Sequence, residues 1–217
     1  MINMITKTNA LKVLLCSFLL VSTQSFSQDT ASSVEVNKAA KRMFVDMNNR
    51  DYDAILEMCH PKLFDLASKD QIKAVFKTTF EGNEEFSIYI PKTIPPYKVS
   101  EVFKEDKENL EYAFVSYDMN MKMTFHNQKF DEQAKKMMAT SMKTQGMDVK
   151  FESDNVMDVM MNDRITVILK DNTTKNKWVM MNYDSQSPLV YQLFPTSILE
   201  KVKKHKENLL LERKKKK

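Results

Sequence analysis

The sequence predicts an α+β fold in which helices come first and a curved antiparallel sheet follows. Over residues 36–80 the apolar residues recur at helical spacing. After Gly82 they alternate with polar residues, and the longest alternating run covers residues 110–126. Such a run is typical of an antiparallel strand with one face in solvent. A block of helices followed by a block of strands indicates α+β rather than a repeating βαβ arrangement.

Three helices are expected before the sheet. The first ends near Asn49. Its apolar residues at helical spacing are Val36, Ala40, Met43, Phe44 and Met47. A second, short helix stops at Pro61, since proline cannot continue it. Ser68 with Gln71 forms a capping box that opens the third helix, and Gly82 is the predicted stop of that helix.

Seven segments are predicted as strands of the sheet. They are residues 86–90, 97–104, 110–126, 149–152, 164–170, 177–184 and 189–194. Residues 156–161 stay unassigned, and residues 171–174 form a hairpin loop. Helical spacing over residues 130–142 predicts a helix inserted between strands, with Gly146 as its stop. Ser197 with Glu200 is a second capping box, and it opens a C-terminal helix that becomes increasingly basic.

The N-terminal residues have the pattern of a signal peptide. Lys7 and Lys12 precede an apolar run, and small and polar residues follow up to Ser27. The run is shorter than the roughly 20 residues of a membrane-spanning helix, which favours cleavage near Ser27 over a permanent anchor. We therefore expect export to the periplasm or the medium. A single domain is expected over residues 28–200, followed by a basic helix or tail over residues 201–217.

Charge is distributed unevenly along the chain. Residues 201–217 contain nine Lys or Arg residues and two Glu residues, whereas residues 28–200 contain 22 basic and 27 acidic residues. An acidic body does not favour nucleic acid binding, which needs a basic face on the folded domain. The tail can contact an anionic envelope surface. The alternative, which we favour, is a solvated and frayed helix end.

The composition excludes several classes of enzyme and cofactor site. The 217 residues include two glycines, Gly82 and Gly146, so a glycine-rich phosphate loop or a nucleophile elbow cannot be formed. Two cysteines and three histidines are scattered and form no zinc ligand set, and no cofactor is expected. Cys59 and His60 are adjacent, which permits a nucleophile pair. We interpret Cys59 instead as a buried apolar residue.

The order of elements resembles the nuclear transport factor 2-like superfamily, which includes SnoaL-like cyclases and ketosteroid-isomerase-like enzymes. The resemblance covers residues 36–194 and is closest over residues 44–56, 60–64 and 178–184. It implies that the N-terminal helices pack into the concave side of a bent sheet to form a cone-like half barrel. The mouth of such a cone holds a small apolar ligand, and enzymatic members line it with Tyr, Asp or His.

Applied to this chain, the resemblance points to a tyrosine and a carboxylate. Tyr117 lies on the apolar face of the 110–126 strand, Glu111 begins the same face, and Asp184 and Tyr191 lie near the ends of late strands. A carboxylate beside a tyrosine donor in an apolar site can transfer a proton. The alternative, which we favour, is that Tyr117 is a core aromatic residue and the two carboxylates are exposed.

Methionine is unusually frequent, with 17 residues. Met119, Met121 and Met123 occupy alternate positions of one strand, and soft thioethers select Cu(I). The same spacing is also what a buried strand face needs, and methionine fills such cores. On the inserted helix, Met137, Met138 and Met142 form an apolar face that either covers a ligand or fills the core.

Together these patterns predict an exported, non-enzymatic domain that binds a small apolar ligand or a protein partner. The predicted ligand-binding residues are Tyr117, Met119, Met121, Met123, Met138 and Tyr191. A SnoaL-like isomerase or lyase with a Tyr and carboxylate pair is the alternative. Cu(I) binding by Met119, Met121 and Met123 is the second alternative.

Overall fold

The computed structural model describes residues 23–215. These residues form seven α-helices and one antiparallel sheet of seven strands, which does not close into a barrel. The predicted α+β class is therefore confirmed. Residues 1–22 of the predicted signal peptide lie outside the described residues, and the predicted cleavage point near Ser27 falls within the first helix.

The helices in chain order are α1 (Thr23–Asn49), α2 (Tyr52–Met58), α3 (Leu63–Leu66), α4 (Lys69–Glu81), α5 (Glu132–Thr144), α6 (Val190–Leu193) and α7 (Thr196–Lys215). The strands are β1 (Phe86–Tyr89), β2 (Tyr97–Val99), β3 (Phe103–Glu105), β4 (Leu110–Phe125), β5 (Met147–Phe151), β6 (Val156–Lys170) and β7 (Val179–Tyr183).

Local capping sets several of these boundaries. Asp51 accepts a hydrogen bond from the Ala54 N–H at 3.0 Å and starts α2. Both hydrogen bonds of the predicted capping box between Ser68 and Gln71 are present at the start of α4. Gly82 ends α4 with φ +89°, and a Cβ there would collide with the Phe86 carbonyl. This left-handed conformation in a tight space explains why glycine is needed at the helix end.

Two long strands, β4 and β6, form the centre of the sheet. They pair from Glu111 with Lys170 to Thr124 with Val156. The register shifts between the pairs Tyr117 with Arg164 and Met119 with Met161, so Asp118 faces both Asn162 and Asp163. This extra residue on β6 is a β-bulge, which bends a strand and increases its twist.

Shorter strands flank this ribbon as two half-sheets. Along its outer edge, β4 pairs with β3 and β2 at residues up to Tyr117. It pairs with β1 at residues from Lys122 onward. On the outer edge of β6, β7 pairs from Ile165 and β5 pairs up to Met161. Each edge therefore changes partners at the bulge. We call the β3, β2 and β7 side the proximal half-sheet, and the β1 and β5 side the distal half-sheet.

The proximal half-sheet is buried on both faces. Its first face, which carries Ala113, Val115 and Tyr117, packs against α1 and α2. Its second face, which carries Tyr112 and Phe114, packs against α7. The prediction that one face of this strand is wet is wrong here, because α7 covers it. The buried Ser116 on that face is satisfied by a 2.7 Å hydrogen bond to His205 of α7.

The distal half-sheet matches the prediction of one wet face. Its first face carries Met157, Val159 and Met161, and α5 covers it with Met138 and Met142. On the opposite face Lys122 pairs with Glu152 at 2.8 Å, and both side chains are 40% exposed. The inserted helix thus provides the apolar cover that the distal strands need.

Several sequence expectations differ from the structure. Residues 189–194 contain helix α6 (Val190–Leu193) and no strand, since Val190, Leu193 and Phe194 are buried at the i, i+3, i+4 spacing of a helix. Residues 156–161 are the first part of β6. The predicted strand at residues 97–104 is divided into β2 and β3.

The C-terminal segment also differs from expectation. Helix α7 begins at Thr196, so Ser197 lies inside the helix, and its hydroxyl is buried without a hydrogen-bond partner in the described residues. The predicted capping box with Glu200 is therefore wrong. Residues 201–215 continue α7 against the second face, with Val202 fully buried, and are not a frayed end.

Candidate functional site

The candidate site is a cavity of about 360 Å³ beside the part of β4 that faces the bulge of β6. Its volume is within the range of small-molecule sites, roughly 300 to 1,000 Å³. The apolar part of its wall includes Phe44, Met47, Phe80, Ile90 and Met119. Two other cavities of about 510 Å³ lie beside α7, but charged residues form much of their walls. The cavity beside β4 therefore fits an apolar ligand better than these two cavities do.

The cavity exists because neither β1 nor β2 pairs with β4 between Tyr117 and Lys122. β1 ends at Tyr89 and β2 begins at Tyr97, and the connection between them carries Pro91, Pro95 and Pro96. Proline has no N–H group and cannot extend a ladder, so this connection loops away from β4. The end of α1 and Phe80 of α4 close the opposite side.

Arg50 is the basic residue of this cavity. It follows the last residue of α1 with φ +57°, a left-handed helix end. Its guanidinium donates hydrogen bonds to the Met47 carbonyl at 2.6 Å and the Ile90 carbonyl at 3.4 Å, and lies 5.1 Å from the centre of the Phe80 ring. In the described residues no carboxylate lies within 4.0 Å of it.

Asp118 is the acidic residue of the cavity wall, and it is already paired with a cation outside the cavity wall. Its Oδ1 accepts hydrogen bonds from Arg213 at 2.6 Å and from the Asp163 N–H at 2.9 Å. Arg213 also makes a bidentate pair with Asp163 at 2.8 and 2.9 Å. These hydrogen bonds to Asp163 and Asp118 raise the pKa of Arg213. We call these three residues the bulge clamp, because they tie α7 to the bulge.

Tyr117 lines the cavity, and among residues 23–215 its hydroxyl has no carboxylate as a hydrogen-bond partner. It is 8% exposed, its ring stands edge-on to Phe44 at 5.0 Å, and its hydroxyl lies 3.4 Å from the Thr166 hydroxyl. Glu111 lies six residues away on β4, where it contacts Lys170 at 3.1 Å. The structure therefore places the candidate tyrosine and this carboxylate apart.

Asp184 and Tyr191 lie elsewhere on the molecule. Asp184 follows β7 and accepts a hydrogen bond from the Gln186 N–H at 2.9 Å. Tyr191 is on α6 and is 73% exposed. The predicted strand end near Tyr191 is a helix, which explains why this side chain does not reach the cavity.

The predicted methionines are divided between two environments. Met119 lines the cavity, whereas Met121, Met123 and Met138 pack in the apolar layer beneath α5. Within that layer Met119, Met161 and Met147 occupy paired positions on β4, β6 and β5, so three methionines form one row across the sheet. No group of three or more His, Cys, Asp or Glu residues in positions 23–215 could hold a metal ion.

Cys59 and His60 behave as core residues. Burial raises the pKa of Cys59 to about 12, and its thiol lies 3.4 Å from the Ile55 carbonyl. The two ring nitrogens of His60 contact other partners: Nδ1 accepts the Lys62 N–H at 3.2 Å, and Nε2 lies 3.4 Å from Asp171. This geometry supports the structural interpretation of Cys59 and provides no base for a thiol nucleophile.

Sequence reasoning identified Tyr117 and Met119 of this cavity and missed Arg50. Comparison with protein-family models, with curated proteins and with solved structures finds no match. No helix in residues 23–215 combines the length and apolar character of a membrane span. The likeness to the nuclear transport factor 2-like superfamily therefore stays a prediction from the sequence.

Proposed function

We propose that this chain is a non-enzymatic binding domain that takes a small apolar molecule in the cavity beside β4. The observation that carries the proposal is the mainly apolar cavity of about 360 Å³ at the unpaired edge of β4. Apolar walls with a few polar groups are the usual composition of such sites. The alternative is that the cavity is a surface recess filled with solvent.

The cone-like arrangement and export are part of the same proposal. The N-terminal helices pack on one face of a sheet that carries a bulge, as a cone requires. An exported domain with one buried free cysteine must depend on its apolar core for stability, and this chain has one on each side of the proximal half-sheet.

Titration with the neutral dye N-phenyl-1-naphthylamine tests the proposal. We expect saturable binding with a rise in dye fluorescence. Thr93 lies on the cavity wall and is exposed, so the Thr93→Trp variant should fill the cavity and abolish binding. The matched control is Thr140→Trp on the exposed face of α5, which should bind as the unmodified chain does. Equal dye binding by both variants would refute this location.

A second candidate function is Cu(I) binding, and the methionine row favours it. Met119, Met161 and Met147 are neighbours across three strands, where paired residues stand about 5 Å apart. Three thioethers on one face suit a soft monovalent ion. The alternative is that the row is ordinary core, as the packing of Met138 and Met142 over it also permits.

Competition with a Cu(I) chelator under reducing conditions tests this second candidate. Met161→Leu keeps the apolar volume and removes a thioether, so we expect a loss of Cu(I) affinity of at least tenfold. Met137 is 61% exposed on α5, and Met137→Leu is the matched control. Equal affinity in the two variants would leave the methionine row as core packing alone.

A further inference from the structure

The cavity beside β4 contains a guanidinium with unused hydrogen-bonding capacity. Arg50 donates to the carbonyls of Met47 and Ile90, which uses two of its five N–H groups. These two bonds and the Phe80 ring fix the guanidinium at the cavity wall. Its positive charge has no carboxylate partner in the described part of the chain.

The acidic residue of the same wall does not compensate this charge. Asp118 is held by Arg213 at 2.6 Å and by the Asp163 N–H at 2.9 Å. Arg213 also pairs with Asp163 at 2.8 Å, so one guanidinium serves two carboxylates. The bulge clamp therefore contains two carboxylates and one guanidinium, directed at each other, while the Arg50 guanidinium lies against carbonyl groups and an aromatic ring.

The backbone at Arg50 is also unusual. Its φ of +57° is a conformation that residues other than glycine adopt at a cost. A glycine or asparagine is the common choice at such a helix end. An arginine there keeps a long cation at the cavity wall, and strained positions of this kind are often found at functional sites.

We infer that the cavity selects an amphiphile with a single carboxylate, which Arg50 binds while the apolar chain contacts Phe44, Met47 and Met119. This inference rests on the proposed function. The planar fork of a guanidinium matches a carboxylate, and a charge-assisted hydrogen bond is stronger beside apolar walls than in water. No carboxylate of the described residues lies within 4.0 Å of Arg50, so the carboxylate of a ligand would be its direct ion-pair partner.

Paired titrations with octanoate and octanol at pH 7 test the inference by calorimetry. Both probes have the same apolar chain, and octanoate adds the carboxylate. We expect the unmodified chain to bind octanoate at least tenfold more tightly than octanol, since one charge-assisted hydrogen bond supports such a ratio. Arg50→Met should remove this preference, so that the variant binds octanoate no more tightly than octanol, and a cooperative urea unfolding transition shows that the variant is folded. Arg50→Lys should retain part of the preference.

Arg42→Met is the matched control, because Arg42 lies on α1, eight residues before Arg50, and is paired with Asp46. It should retain the full preference for octanoate. Equal affinity of the unmodified chain for the two probes would overturn the inference while leaving the proposed function in place. A preference that survives in Arg50→Met would also overturn it. Failure of both probes to bind would overturn the proposed function as well.

Discussion

His60 shows how a single residue links local geometry to stability. It is 1% exposed, and burial lowers its pKa although Asp171 acts in the opposite direction. The Lys62 N–H donates to Nδ1, so this nitrogen must be unprotonated for the bond to exist. The neutral imidazole therefore fits this site better than the imidazolium. His205, which contacts Ser116, has its pKa lowered by burial in the same direction.

This direction predicts a loss of stability in mild acid. Between the lowered pKa of the folded state and the unfolded value of about 6.5, the unfolded chain holds more protons. The free energy of unfolding should therefore decrease as the pH falls through that window, by at most about 1.4 kcal/mol per pH unit for one histidine. Below the pKa of the folded state, His60 should no longer change the free energy of unfolding. Urea unfolding between pH 7 and pH 5 measures the slope.

The variant His60→Gln should have a smaller slope than the unmodified chain, because one of the two contributing histidines is gone. His126 is exposed, and His126→Gln is the control for the same replacement at the surface. A steep slope that persists unaltered in His60→Gln would contradict the assignment of this effect to His60.

At the residue scale, the sequence predicts which face of the sheet a side chain occupies when that depends only on its position along its own strand. The parity of β4 correctly places Tyr117 and Met119 on one face. Arg50 could not be found this way, because its neighbours Phe80 and Ile90 come from other elements. The ion pair of Asp118 likewise depends on Arg213, which is 95 residues away along the chain.

At the scale of elements, boundaries that local sequence signals set can be predicted, whereas features that depend on long-range packing cannot. The start and end of α4 follow from the capping box and Gly82, both of which are local signals. The sequence pattern does not identify the two parts of β6 as one strand. The bulge at Asn162 and Asp163 moves the apolar side chains from one face of the sheet to the other. Met157, Val159 and Met161 point to the first face, whereas Ile165, Val167 and Leu169 point to the second. No alternating pattern runs through such a point.

The bulge clamp is predicted to stabilise the contact between α7 and the sheet. Arg213→Met leaves two carboxylates close together without their cation, and should lower the free energy of unfolding by about 1 to 2 kcal/mol. Arg213→Lys retains the charge without the bidentate geometry and should lose less. Chemical denaturation measures both changes.

Arg42→Met provides the comparison, since Arg42 pairs with Asp46 on the surface of α1. A surface pair of this kind contributes about 0 to 1 kcal/mol. A loss in Arg213→Met no greater than that in Arg42→Met would show that the bulge does not depend on α7.

At the scale of the whole molecule, the sheet joins two half-sheets that are covered differently. The proximal half-sheet has helices on both faces, and the distal half-sheet has one helix, α5. The sequence predicts a basic C-terminal helix but not its place, because a cover for the second face becomes necessary only once Tyr112 and Phe114 are known to point there. The proposed contact with an anionic surface would therefore use the outward lysines of a docked helix.

The cavity lies where the half-sheets meet, and we expect the ligand to bind at this position. Met47 and Met119 line it, whereas Met137 is exposed on α5. Methyl labelling of methionine gives a separate NMR signal for each of these residues. With bound octanoate, we predict intermolecular nuclear Overhauser effects from the octyl chain to the methyl groups of Met47 and Met119, and none to Met137. Effects at Met137 with none at Met47 and Met119 would show that octanoate does not bind in the cavity beside β4.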